Sequence, residues 1–150
     1  MKYLLLILAI ALFSTAYAQE STYTLTYAKT EIIVPEGCSA KSEYEVIDCN
    51  GFSAQWLYLE QEMINQGIDK QLLSQLEQQL KYSKKSKLKF KSQNQGFEGF
   101  QYKMKNGTSR ILGVGKVDGQ WLILNLGFED TPKKNSDLTE FEKKFIELRK

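Results

Sequence analysis

The chain has no histidine, two cysteines and two prolines in 150 residues. Without histidine it lacks the usual general base near neutral pH, the Ser-His-Asp and Cys-His nucleophile systems, and the commonest metal ligand. Catalysis would have to rest on carboxylates, lysine or tyrosine. A charge imbalance is missing too, with 20 basic residues against 18 acidic. Such a chain has no overall field to draw in nucleic acid, and no segment of it matches a nucleic-acid-binding motif. No calcium loop occurs, and GVGK at Gly113 to Lys116 lacks the spacing of a phosphate loop. Neither a cofactor nor a metal is expected. The longest apolar run, Leu4 to Phe13, falls short of the roughly 20 residues that span a bilayer.

What is present begins with an address. Lys2 precedes that apolar run, and Ala16-Tyr17-Ala18 follows it with the small-x-small pattern of a signal-peptidase site. Residues 1–18 are therefore expected to be a cleaved signal peptide and 19–150 a single secreted or periplasmic domain. The mature chain would not begin with cysteine, as a bacterial lipoprotein does, and would not span the membrane. Losing Lys2 brings the net charge closer still to zero.

In an oxidising compartment two cysteines most often pair. Cys38 and Cys49 bracket CSAKSEYEVIDC, too widely spaced for a CxxC redox motif, and a zinc site would need carboxylates for its remaining ligands. A structural disulfide is expected, with a free or redox-active pair as the alternative. Closing a loop of this length stabilises a fold by about 3 kcal/mol in the chain-entropy model.

Alternating residues predict a strand at Tyr23, Leu25 and Tyr27 and an extended piece from Glu31 to Val34. Asn50-Gly51 predicts a hairpin joining Tyr44–Cys49 to Phe52–Leu59, with Cys49 opposite Phe52 and Tyr44 opposite Leu57. Glu60 to Gln66 either ends the strand or opens a helix. Asp69 reads as the N-cap of a helix carrying Leu72, Leu73, Leu76 and Leu80 on one face. From Lys87 the pattern is a four-strand meander, turning at Asn106-Gly107 and Asp118-Gly119. Its last strand, beginning at Trp121, is apolar on both sides, so both faces need cover. Asp137 and Glu140 form a capping-box-like pair ahead of Leu138, Phe141, Phe145 and Leu148, which predicts a C-terminal helix. The expected fold class is α+β: a largely antiparallel sheet with helices packed on its faces.

Several features stand out as candidate binding surface. Lys87, Lys89 and Lys91 share one face of a strand and suit an anionic surface such as phospholipid head groups, or simply keep an exposed strand from pairing. Phe97 lies in the glycine-aromatic stretch Gln95 to Tyr102, read as beginning in a loop and ending as a strand, with Phe97 either an exposed contact or tucked beneath the loop. Gly113 and Gly115 leave a flat strip on their strand, for a packed helix or for a ligand. Glu43, Glu45 and Asp48, and again Glu60 and Glu62, are loose acidic clusters, of which Glu43 and Glu45 have the spacing of a catalytic pair and equally of a solvated strand face.

The order of elements, from strands leading to EIIVPEG at Glu31 to Gly37 through a mid-chain helix to a meander ending in GVGKVDGQWLILNLGF and a terminal helix, resembles the PsbP/Mog1-like α/β/α sandwich group. The Cys38/Cys49 pair departs from that pattern. The resemblance implies an accessory, assembly or binding role and assigns no site residue. Three functions follow as expectations. The first is a non-enzymatic domain acting through a protein partner in the cell envelope. The others are a carrier of a small apolar or anionic ligand or lipid, and a cofactor-independent hydrolase using carboxylates.

Overall fold

The computed structural model describes residues 24–42 and 44–148, and Asp48 in its backbone alone. The expected signal peptide at residues 1–18, Tyr23 and Glu43 lie outside the described residues. Among the described residues there are ten strands and two short α-helices: β1 (Thr24–Tyr27), β2 (Thr30–Ile33), β3 (Ser39–Ser42), β4 (Glu45–Cys49), β5 (Phe52–Leu59), α1 (Gln61–Asn65), α2 (Ile68–Gln78), β6 (Tyr82–Ser92), β7 (Gln95–Met104), β8 (Ser109–Val117), β9 (Gln120–Phe128) and β10 (Glu147–Leu148). β1 and β2 form a separate hairpin, and the other eight form one sheet in the order β10-β6-β7-β8-β9-β5-β4-β3, with every pairing antiparallel. This is a mostly β architecture. The expected α+β sheet with a helix packed on each face is corrected accordingly.

The correction comes mainly from the C-terminus. In place of a helix there are two single 3-10 turns, Asn135–Asp137 and Glu142–Lys144, and then β10 paired with β6 at the sheet edge. A capping box does form, between Thr139 and Glu142: Thr139 N donates to Glu142 Oε2 at 2.7 Å and Glu142 N donates to Thr139 Oγ1 at 3.2 Å. Asp137 instead accepts from the Lys133 and Lys134 amides. One turn costs more to nucleate than it returns, and helices this short depend on packing to persist. Here packing favours an irregular chain, because Leu138, Phe145, Ile146 and Leu148 are all buried, and adjacent Phe145 and Ile146 cannot both lie on one narrow helical stripe.

Turn chemistry sets most of the sheet. Asn50 (φ 52°) and Gly51 (φ 82°) make the β4–β5 hairpin, and Asp118 (φ 48°) with Gly119 (φ 81°) makes β8–β9. Two consecutive positive φ values match the twist of flanking strands. Cys49 pairs with Phe52 as expected, but a bulge between Val46 and Cys49 shifts the register, so Glu45 faces Gln55 and the Trp56 amide donates to the Tyr44 carbonyl. Tyr44 therefore does not face Leu57.

Because side chains alternate along a strand, the sheet has two faces of different character. On the core face Leu122, Leu124, Leu126 and Phe128 of β9 and Phe52, Ala54 and Trp56 of β5 meet Tyr27, Phe141 and Phe145. Tyr27 lies 5.2 Å from both the Trp56 and Phe145 rings, and Phe145 lies 5.6 Å from Trp56. The cover on this face is thus the β1–β2 hairpin and the C-terminal segment. Tyr27 is anchored by a 2.7 Å hydrogen bond with Ser92. Its burial pushes the phenol pKa well above the ordinary tyrosine value, partly offset by that bond. The expected disulfide is present, Cys38–Cys49. It joins the start of edge strand β3 to the tip of the β4–β5 hairpin, a position where a staple limits fraying of the sheet edge.

The opposite face is crossed by the connection from β5 to β6. The chain leaves β5 at Leu59, forms α1 and α2, and rejoins the sheet on the far side of β9, β8 and β7. This resolves the ambiguity at Glu60 to Gln66 in favour of a helix opening at Gln61. Gly67, at φ 73°, is the N-cap of α2, a left-handed conformation that favours glycine. Asp69 is therefore the second helical residue and not the cap.

Candidate functional site

α2 covers its face of the sheet incompletely. Leu72, Leu73, Leu76 and Leu80, which should be core by periodicity, are all only half-buried. The helix leaves a cleft along each flank. One, of about 580 Å³, lies toward β6–β8 and is bordered by Asp69, Lys70, Leu73 and Glu77 of the helix and by Lys87, Phe100, Leu112 and Val114 of the sheet. The other, of about 400 Å³, lies toward β5 and β9 and is bordered by Leu72 and Leu76 with Tyr44, Leu57 and Ile123. Both volumes lie in the roughly 300–1,000 Å³ range of small-molecule sites.

A polar cluster secures the C-terminal end of the helix. Lys85 Nζ donates to both carboxylate oxygens of Glu77 at 2.7 Å. The Tyr82 hydroxyl donates to Glu77 Oε1 at 3.0 Å, and the Tyr102 hydroxyl to Oε2 at 3.1 Å. The register shift between Tyr82 and Lys84 is what brings Tyr82 and Lys85 to the same side, since a bulge inverts the alternation. Lys85 also sits 4.1 Å above the centroid of the Phe100 ring. Donation from Lys85, helped by Tyr82 and Tyr102, holds the Glu77 carboxyl pKa below the usual glutamate value despite some desolvation. Burial, with the Glu77 charge beside it, drives the Tyr102 phenol pKa upward.

The larger cleft has the more unusual chemistry. Asp69 is only 8 % exposed, and its Oδ1 is shut off from solvent without a hydrogen-bond partner among the described residues. Buried carboxylates are almost always paired, because losing water without compensation is costly. Its place in the first turn of α2 gives it a favourable field from the helix dipole but no hydrogen bond. Across the cleft Lys89 pairs with Glu98 at 3.0 Å, a contact between two well-exposed side chains. Lys70 and Lys87 border the same space and make no ion pair among the described residues.

The structure divides the binding residues expected from sequence. Lys87 and Lys89 line the larger cleft. Lys91 is half-buried near the edge, opposite Glu147 of β10. Phe97 is 1 % exposed on the core face, stacked on Phe90 at 5.2 Å, because the β6–β7 turn falls at Gln93-Asn94 and its stretch is strand rather than loop. The glycine strip is filled: a Cβ on Gly113 would lie 2.7 Å from the Phe90 ring, and one on Gly115 would lie 2.5 Å from the Phe97 ring. These glycines accommodate aromatic side chains from β6 and β7, not a helix and not a ligand. Glu60 and Glu62 are exposed, and Glu45 lies 4.0 Å from Lys41. Among the described residues no three histidine, cysteine, aspartate or glutamate side chains converge to hold a metal ion.

Asp69 and the apolar cleft walls were missed at the level of sequence. A signal did exist, since Asp69 lies three and four residues before Leu72 and Leu73 and so belongs to the leucine stripe. Fold and site together define a mostly β domain with a helix laid across one sheet face and a cleft on either side of it. No family model matches the chain, and neither the curated proteins nor the solved structures contain a match.

Proposed function

We propose that this chain is a binding domain that carries a small amphipathic ligand in the cleft between α2 and β6–β8, working in an extracytoplasmic compartment. The observation that supports it is the cleft itself: apolar walls from Leu73, Leu112 and Val114 beside the nearly buried Asp69, whose Oδ1 has no hydrogen-bond partner among the described residues, and exposed lysines. Apolar walls with a few polar groups are the usual composition of a ligand site. The Cys38–Cys49 disulfide fits an oxidising compartment, and no helix among the described residues is long and apolar enough to cross a membrane.

A protein partner in the cell envelope is the second reading, favoured by the smaller cleft. There Leu57 and Tyr44 are 50 % and 47 % exposed and border half-buried Leu72 and Leu76. Thermal-shift titration with single-chain amphiphiles separates the two. Stabilisation of the wild type that disappears in Val114→Trp supports the ligand site, because the indole would obstruct the larger cleft, which Val114 lines. A shift unchanged in Val114→Trp but lost in Leu57→Glu moves the function to the smaller cleft.

A further inference from the structure

Building on the proposed ligand site, we infer that the larger cleft recognises a zwitterionic amphiphile, its ammonium donating to Asp69 and its anionic group meeting Lys87 and Lys70. The charges bordering the cleft point to this once the internal pairs are set aside. Glu77 is satisfied by Lys85, Tyr82 and Tyr102, and Glu98 by Lys89. Among the described residues that leaves one carboxylate without a donor, Asp69, and two ammonium groups without an acid, Lys70 and Lys87. The carboxylate is nearly buried in the first turn of the helix, whereas both lysines are exposed.

A ligand carrying only an anion would meet the lysines and leave Asp69 both unpaired and repelled by its charge. A purely apolar ligand would seal off the same carboxylate and gain nothing from the lysines. A head bearing an ammonium and a phosphate satisfies both sets, while Leu73, Leu112 and Val114 take the apolar chain. The shared chemistry is a phosphoethanolamine-like group, whether from a lipid or from a soluble metabolite. Asp69 would then be a residue whose apo-state desolvation cost is tolerated for binding, in the way functional positions often trade stability for activity.

Calorimetric titration of the full-length mature protein tests this with lauroyl lysophosphatidylethanolamine and lauroyl lysophosphatidic acid, each below its micelle-forming concentration. Wild type should bind the ethanolamine lipid roughly 10- to 100-fold more tightly, the worth of one charge-assisted hydrogen bond. Asp69→Asn should erase that preference while keeping or raising the melting temperature, since it relieves an unpaired buried charge. Lys87→Ala, at an exposed position, should weaken both lipids by about three- to tenfold. Competition by phosphoethanolamine alone would make the natural ligand a soluble zwitterion, and a requirement for the acyl chain would make it a lipid.

Equal affinity of wild type for both lipids, a preference that survives Asp69→Asn, or a lowered melting temperature in that variant would overturn the inference. So would Lys87→Ala binding as wild type. If binding of both lipids is nonetheless abolished by Val114→Trp, the ligand site stands and only its specificity is wrong. If neither lipid binds wild type, both the specificity and the amphiphile site are refuted.

Discussion

Replacing Glu77 with alanine removes the acceptor on which three side chains converge. The Tyr102 residue is 1 % exposed, so its stranded hydroxyl should cost about 1–3 kcal/mol. The Lys85 ion pair is partly solvated, with 30 % and 25 % exposure of the two side chains, and adds about 0–1 kcal/mol. Alanine returns a few tenths of a kcal/mol through helix propensity. The net expectation is a loss of about 1–4 kcal/mol, which for a domain of this size lowers the melting temperature by roughly 4–15 °C. Urea unfolding at pH 7 measures the free energy, and hydrogen exchange localises the change to α2. The Glu77 carboxyl has its pKa held below the ordinary glutamate value by donation from Lys85, so its contribution is complete above the ordinary glutamate range and fades as pH falls through the lower folded-state value. The gap between wild type and variant should therefore narrow only in that acid range. A gap under about 0.5 kcal/mol at pH 7, or one that stays constant through acid, would refute the view that Glu77 fastens α2.

Further outcomes follow from the core face and the sheet edge. Gly115→Ala should destabilise the fold by about 1–3 kcal/mol, since its Cβ would lie 2.5 Å from the Phe97 ring, and denaturant unfolding reads the loss. Phe145→Ala opens a cavity between Tyr27, Phe52 and Trp56 and should cost about 3–5 kcal/mol by the same measurement. Reducing Cys38–Cys49 should remove about 3 kcal/mol, and exchange should accelerate first in β3 and β4. Alkylation without reduction should find no free thiol at either cysteine.

Local chemistry made the hairpins legible. Asn50-Gly51 and Asp118-Gly119 admit positive φ cheaply, and both turn where they should. Gln93-Asn94 and Ala28-Lys29 adopt positive φ with poorer turn residues, held by strand pairing on either side, and gave no comparable signal. The missed β6–β7 turn is what placed Phe97 on a loop. The C-terminal stripe identified buried residues correctly, since Leu138, Phe145 and Leu148 are in the core, but burial by an irregular segment and burial by a helix share that spacing. The edge of β6 then captured Glu147 and Leu148, a long-range pairing that periodicity does not encode. In the site, the lysine alternation put Lys87 and Lys89 on one face, whereas the glycine strip was misread because its occupants, Phe90 and Phe97, come from β6 and β7. Asp69 passed as a cap because serving as N-cap and lying in the first turn look alike in sequence, and only the positive φ of Gly67 separates them.

The proposed carrier role is tested most directly by native mass spectrometry of the protein purified without refolding from the cells that make it. The proposal predicts a stoichiometric organic adduct on the wild type, released on denaturation and absent from a folded Val114→Trp variant. A wild type recovered uniformly as bare polypeptide, or an adduct retained unchanged when the larger cleft is obstructed by Val114→Trp, would contradict it.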